Sequence, residues 1–471
     1  MFVHRIWRVT RWIVVGLVSM GVLGAGTYYW FRSTYSPTPP KPRFPSPQTA
    51  AEAQRQDLEY FRNYLHYERS YTPAARAEAE RLLGTYQAEA GKTSPVEFEL
   101  AISRMVALAD NGHSAVFIHA PRHNRLPCRF YRFGDGFFVL RARPACVKLL
   151  GARVTAIDGR PIEQVSQAMY EYVRGPRNHF EQYRSAFFLE SPELLHAAGL
   201  ADRADRLTLA MKLLDGSSYE QTITADPPDA DGPRVLSDSY LSPQRVDRER
   251  KDWEPLLDAH AELPFFLQDY AVPFRSAYWP ADSTYYVQFK SNNDQGGYRI
   301  GRFIDQVKKE ITADKPRVVV LDMRFNMGGN YLKTARFMAN VAHLTESIHR
   351  VYILTSAWTF SAGIVSVAMA KEHGASKAVI VGEHVGDRTR LWAEGENLCL
   401  PNSKICMHFA TGLHDYTKGC SGEPGCFIMF RLFPVKVATL EPDMPVAYNF
   451  ADYINRRDPL LDRVRALAPP P

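Results

Sequence analysis

The sequence predicts an α/β protein with a β-rich module ahead of its core. From about residue 276 onward, apolar strands alternate with helical stretches, the pattern of a largely parallel sheet. Val318-Val319-Val320-Leu321 is a continuous apolar run, as expected of a strand buried on both faces. Between about 126 and 225 the pattern changes to short strands and turns.

The first element is a stretch without charge, Trp12 to Phe31, preceded by Arg5, Arg8 and Arg11 and followed by Arg32. As a helix it would rise about 30 Å, one hydrocarbon thickness. It reads as an uncleaved transmembrane anchor. A cleaved signal peptide is the alternative, with Gly24-Ala25-Gly26 a weak cleavage site. Arg32, Lys41 and Arg43 on the far side deprive the positive-inside rule of a clear vote. Residues 1–34 are therefore expected to be a cytoplasmic stub and anchor. Residues 35–50 are expected to be a proline-rich, semi-rigid linker holding the folded part away from the membrane.

Residues 51–120 read as helical. Thr72-Pro73 is an N-cap with proline at the first helical position, and Gly84 reads as a C-cap. Ser94-Pro95-Val96-Glu97 is a capping box. The helix it opens carries Phe98, Ile102, Met105, Val106 and Ala109 on one face and ends before Asn111-Gly112. Residues 121–225 form the β-rich module, and Leu149 to Ile162 reads as loop, strand and tight turn. Residues 226–275, polar with scattered aromatics, connect it to the core at 276–465. Core strands are expected at 285–289, 317–322, 351–354 and 378–382, with helices near 298–311, 331–343 and 361–373.

The net charge of +6 comes from scattered basic residues with no basic stripe, which excludes a nucleic-acid footprint. The six cysteines fall into local pairs: Cys128 with Cys146, Cys399 with Cys406, Cys420 with Cys426. Behind an export-type segment they read as disulfides in an oxidising compartment; six free thiols are the alternative. The first pair needs a bend, because the turn Gly134-Asp135-Gly136 does not set Cys128 directly opposite Cys146. No C-x-x-C pair occurs, so zinc is not expected, nor is any cofactor. These readings put a single-pass chain in the cytoplasmic membrane, its bulk on the periplasmic side.

Three segments carry chemistry. Thr359-Phe360-Ser361-Ala362-Gly363 links a buried strand to a helix, so Ser361 lies where backbone N–H groups favour developing negative charge. The plain alternative for Ser361 is an N-cap. Gly328-Gly329 follows a buried strand and leaves N–H groups free of side chains, the construction of an oxyanion hole; an ordinary turn is the alternative. Asn111-Gly112-His113-Ser114 supplies a histidine just past a helix C-terminus, and a serine nucleophile needs such a base.

Together these segments resemble the C-terminal processing (tail-specific) protease family. Val319 to Gly329 looks like its strand and double-glycine signature, and Leu354 to Ala362 like its nucleophile segment. Gly382-Glu383, Leu150 to Ile162, Pro442-Asp443 and Asp458-Pro459-Leu460-Leu461 are similar to further parts of it. The resemblance implies a core of the Clp protease and crotonase type and a PDZ-like module over 121–225. It also divides the family by base. In one branch a lysine follows the Gly382-Glu383 element; here the counterpart is Arg388, which cannot deprotonate. The tricorn-core and retinoid-binding-protein-like branch has a glycine-histidine element, which Gly112-His113 matches.

The resemblance thus implies a membrane-anchored serine-type peptidase acting on a polypeptide. Ser361 is its expected nucleophile and His113 its base, with Gly328 or Gly329 and Ala362 as oxyanion donors. The tricorn-type glutamate position falls near Lys436, so the third group stays open among Ser114, Asp387, Glu394 and Glu441. A non-catalytic peptide- or apolar-ligand-binding protein on the same fold is the alternative. A crotonase-type acyl-CoA enzyme would not need an exported, disulfide-bearing chain.

Overall fold

The computed structural model describes residues 19–20, 22–116, 122–229, 237–245, 251–258, 260 and 262–467. The expected anchor lies partly outside them, since 12–18 and 21 are not described. Among the described residues no helix is long and apolar enough to cross a membrane.

The core sheet has six strands, in the order Met444–Pro445, Ala378–Gly382, Arg350–Thr355, Val318–Asp322, Thr284–Phe289, Phe274–Trp279. All neighbours are parallel except the last pair. Val319, Leu321, Val351, Ile353 and Ile380 pack on one face with Val307, Ile311, Ile364 and Val367 of the crossover helices. Val318, Val320, Tyr352, Leu354 and Val381 pack on the other with Leu460, Leu461 and Val464 of the helix Pro459–Arg465. Burial on both faces is why these strands read as unbroken apolar runs.

The register aligns the strand ends. Asp322 faces Leu354, and Thr355 faces Gly382. The loops leaving Asp322, Thr355 and Gly382 therefore emerge side by side at the carboxyl edge, where open α/β sheets bind ligands. Arg324, on the first loop, is buried between Asp322 (2.6 Å) and Asp458 (2.8 Å) and fastens that edge to the C-terminal helix.

Three helices, Ala50–Tyr67, Pro73–Ala88 and Pro95–Ala107, form the N-terminal region. Thr72 caps the second and Ser94 with Glu97 forms the capping box of the third, as their sequences predict. Gly84 is not a C-cap. It lies inside Pro73–Ala88, with open space where a side chain would be, so helix propagation continues past it.

The β-rich module pairs Cys128–Phe133, Gly136–Ala142, Arg153–Ile157, Arg206–Lys212 and Ser218–Thr224 in one sheet. Helical segments between 162 and 197 cover it, where the sequence pattern suggests strands and turns. Val165, Met169, Phe180, Phe188, Leu189 and Leu195 of those segments are buried against the sheet.

Two of the three expected disulfides are present, Cys399–Cys406 and Cys420–Cys426. The third is not: Cys128 and Cys146 are buried free thiols. The strand has an irregularity between Arg129 and Phe130, and the two buried thiols carry no covalent link.

The proline-rich stretch is not a free spacer. Tyr35, its first residue, is 3% exposed and locked into the body. Its hydroxyl donates to Cys426 O (2.6 Å), and its carbonyl accepts from Gly395 N (2.8 Å) and Thr411 Oγ1 (2.7 Å). Beyond Tyr35, Pro40 O accepts from the Tyr60 hydroxyl and Pro45 O from Gln56, so the stretch lies along the first helix.

Candidate active site

The first loop of the carboxyl edge carries the double glycine. Gly328 has φ +104°, and a Cβ there would stand 2.7 Å from Ser361 Cβ. Only glycine lets the two segments approach so closely. The Gly328 N–H is already bound to Asn326 Oδ1 (3.0 Å). The N–H groups of Gly329 and Ala362 make no hydrogen bond among the described residues.

The second loop carries Ser361. Thr359 Oγ1 donates to Met323 O (2.9 Å), Ser356 Oγ to Arg324 O (2.6 Å) and Phe360 N to Asn326 O (2.9 Å). These bonds pin the turn to the glycine loop. Ser361 then takes φ 52° and ψ −125°, a strained conformation for a side-chain-bearing residue, and its hydroxyl caps nothing. The N-cap reading of Ser361 therefore fails: the residue precedes the helix Ala362–Gly374 with its hydroxyl uncommitted.

The third loop carries Asp387, 1% exposed, whose Oδ2 lies 3.5 Å from His113 Nδ1. Gly112 makes the approach possible, since a Cβ there would be 2.6 Å from Asp387 Oδ2 and 2.9 Å from Phe360 Cε2. The His113 ring stacks on Phe360, next to Ser361, with centroids 4.4 Å apart. Both His113 nitrogens are buried without a hydrogen bond among the described residues.

The turn bearing His113 is buttressed from below. Asn111 exchanges two bonds with Trp392, donating to its carbonyl (3.0 Å) and accepting from its N–H (3.2 Å). Ala115–Val116 pairs with Cys406–Phe409, so the disulfide-bearing insert is a support of the histidine turn, built into the body. The fully buried Glu68 accepts from Ser114 Oγ (2.7 Å), Ala410 N (3.0 Å) and Ser70 N (2.8 Å).

Of the four candidates for the third group, only Asp387 meets His113. Ser114 is committed to Glu68. Glu394 lies 3.4 Å from His414, and Glu441 is exposed beside His384. Arg388 turns outward to Asp110 (2.9 Å), and Lys436 is exposed. Glu68, Asn111 and Asn326 support the site and carry no sequence signal of their own beyond Asn111's place beside Gly112-His113.

No family model matches the chain, and no curated protein does. Solved structures do. Mature CPAF complexed with lactacystin superposes with TM-score 0.57 at 12% identity, over 89% of this chain and 98% of that one. Mature CPAF alone gives TM-score 0.56 at 13% identity, over 89% and 97%. The photosystem II D1 C-terminal processing protease superposes with TM-score 0.38 at 13% identity, over 84% of this chain and 93% of that one. The α/β core, the β-rich module and the N-terminal helices of this chain together make the fold of mature CPAF.

Proposed function

We propose that the chain is a serine-type peptidase. The observation that carries the reading is Ser361, strained and uncapped against the glycine loop at Gly328, with the buried pair His113 and Asp387 beside its turn. Ser361 Oγ attacks the scissile carbonyl carbon, and its proton passes to His113 Nε2. Asp387, at Nδ1, holds the ring in the useful tautomer and stabilises the imidazolium that forms. The N–H groups of Gly329 and Ala362 receive the oxyanion. His113 then gives the proton to the leaving amine, and water releases the acyl group by the same route. The 3.5 Å separation of His113 and Asp387 is longer than a hydrogen bond and is expected to tighten around substrate.

The same reading makes residues 121–225 a PDZ-like module handling the polypeptide substrate and residues 12–31 a membrane anchor, with the body outside the cytoplasm. The uncharged run of 12–31 and the two disulfides support the placement.

The test is a fluorophosphonate probe on the oxidised protein, beside Ser361→Ala and His113→Ala. Labelling of the wild type that disappears in both variants is expected. Absence of labelling, or labelling that survives Ser361→Ala, returns the chain to the second reading. That reading is a binding protein for peptides or apolar ligands, favoured by the long His113–Asp387 distance and the exposed Lys436.

A further inference from the structure

The helical stretch that begins at Arg177 belongs to the β-rich module, yet one turn of it grips two of the site's loops. Asn178 Nδ2 donates to His384 O (3.1 Å) and Val385 O (3.0 Å), just ahead of Asp387. Next to it, His179 is 2% exposed and reaches the nucleophile turn. Its Nδ1 lies 2.8 Å from Ala357 O, an acceptor only, so that nitrogen carries the proton. Its ring lies flat on Phe360, with centroids 4.4 Å apart and planes 11° apart.

His113 stacks on the same Phe360, also at 4.4 Å. Two rings cannot occupy one face at that distance, so Phe360 is sandwiched between the two histidines. Gly386 closes the junction: a Cβ there would stand 2.3 Å from Ala357 O and 2.9 Å from His179 Nδ1.

We infer that His179 is a positioning residue for the reaction. By bonding Ala357 and bracing Phe360 from the side opposite His113, it sets the spacing between the Ser361 turn and the base. The inference rests on the peptidase reading. The ring acts as a neutral, flat, hydrogen-bonding wedge, since burial and the nearby Arg184 push its pKa down to about 3. With Nδ1–H committed to Ala357 O and no positive charge on the ring, its effect runs through geometry alone.

The experiment uses the full chain and two readouts. In His179→Ala, the rate of fluorophosphonate labelling at Ser361 is expected to fall about 10- to 100-fold, the scale of a misplacement near 1 Å, while probe affinity stays within about twofold. His179→Phe keeps the stack and is expected to recover the rate to within about threefold of wild type. The second readout is the His113 ring proton resonance, which the Phe360 ring shifts whether or not the protein is active. It is expected to move in His179→Ala and return toward wild type in His179→Phe. An unmoved resonance with an unchanged rate overturns the inference, as does a rate loss that only follows loss of folded protein. If wild type is not labelled, the peptidase reading falls, and an unmoved resonance then separately removes the bracing.

Discussion

His113 Nδ1 faces Asp387 Oδ2 across 3.5 Å, and the absence of a side chain at Gly112 is what lets them meet. The carboxylate comes from the loop after the strand Ala378–Gly382, the histidine from a turn more than two hundred residues earlier. This pairing decides which acidic residue matters. Asp387→Asn keeps the shape and removes the charge that favours imidazolium. Probe labelling at neutral pH is expected to fall about 10²- to 10⁴-fold, while Glu394→Gln and Glu441→Gln stay near wild type. Rate constants for the three variants side by side check this.

Gly328 is a second test. A methyl group there would collide with Ser361 Cβ at 2.7 Å, and φ +104° is unfavourable for alanine. Gly328→Ala is expected to abolish labelling and to destabilise the fold by about 1–3 kcal/mol. Chemical denaturation read beside the labelling assay separates the two effects.

The Cys399–Cys406 disulfide closes a short hairpin whose second strand supports the histidine turn. Replacing both cysteines by serine is expected to cost about 2–3 kcal/mol of stability. It is also expected to slow labelling more than loss of Cys420–Cys426 does, because only the first hairpin pairs with Ala115–Val116. Melting curves and labelling rates of the two double variants give the comparison.

His123 gives a pH dependence away from the site. Burial would lower its pKa, but the hydrogen bond to Glu193 (2.6 Å) and the nearby carboxylate of Glu99 (3.4 Å) prevail and raise it to about 9. A raised folded-state value means the contribution is complete below about pH 6.5 and is lost as pH rises through about 9. It amounts to at most a few kcal/mol. Melting temperature is expected to fall between pH 7 and 10 in wild type and to fall less in His123→Gln.

The strands and crossover helices of the core are legible in the sequence because burial on both faces leaves Val318 to Leu321 and Val351 to Leu354 uninterrupted. The caps at Thr72 and Ser94 are legible because capping is local chemistry. Gly84 shows the limit of such rules, since glycine inside a helix costs only about 1 kcal/mol and packing elsewhere outweighs it. The helical segments between 162 and 197 escape a pattern reading because their apolar residues are interrupted by short breaks at Gly175 and Ser191. In the site, Ser361, His113 and the glycines follow from local sequence. Asp387 is only one of four acidic or polar candidates in the sequence, because its distinction is long-range: a strand register and a glycine 275 positions earlier, at Gly112, bring it to the ring. The state of Cys128 and Cys146 escapes the sequence for a related reason. Spacing reports which thiols can meet, and oxidation is a separate question.

Tyr35 has a consequence for reach. The chain is fastened at Cys426, Gly395 and Thr411 before its prolines begin, so they add nothing to the length of a tether. Were the proposed anchor ahead of it, the prolines would not set the distance between Ser361 and a bilayer.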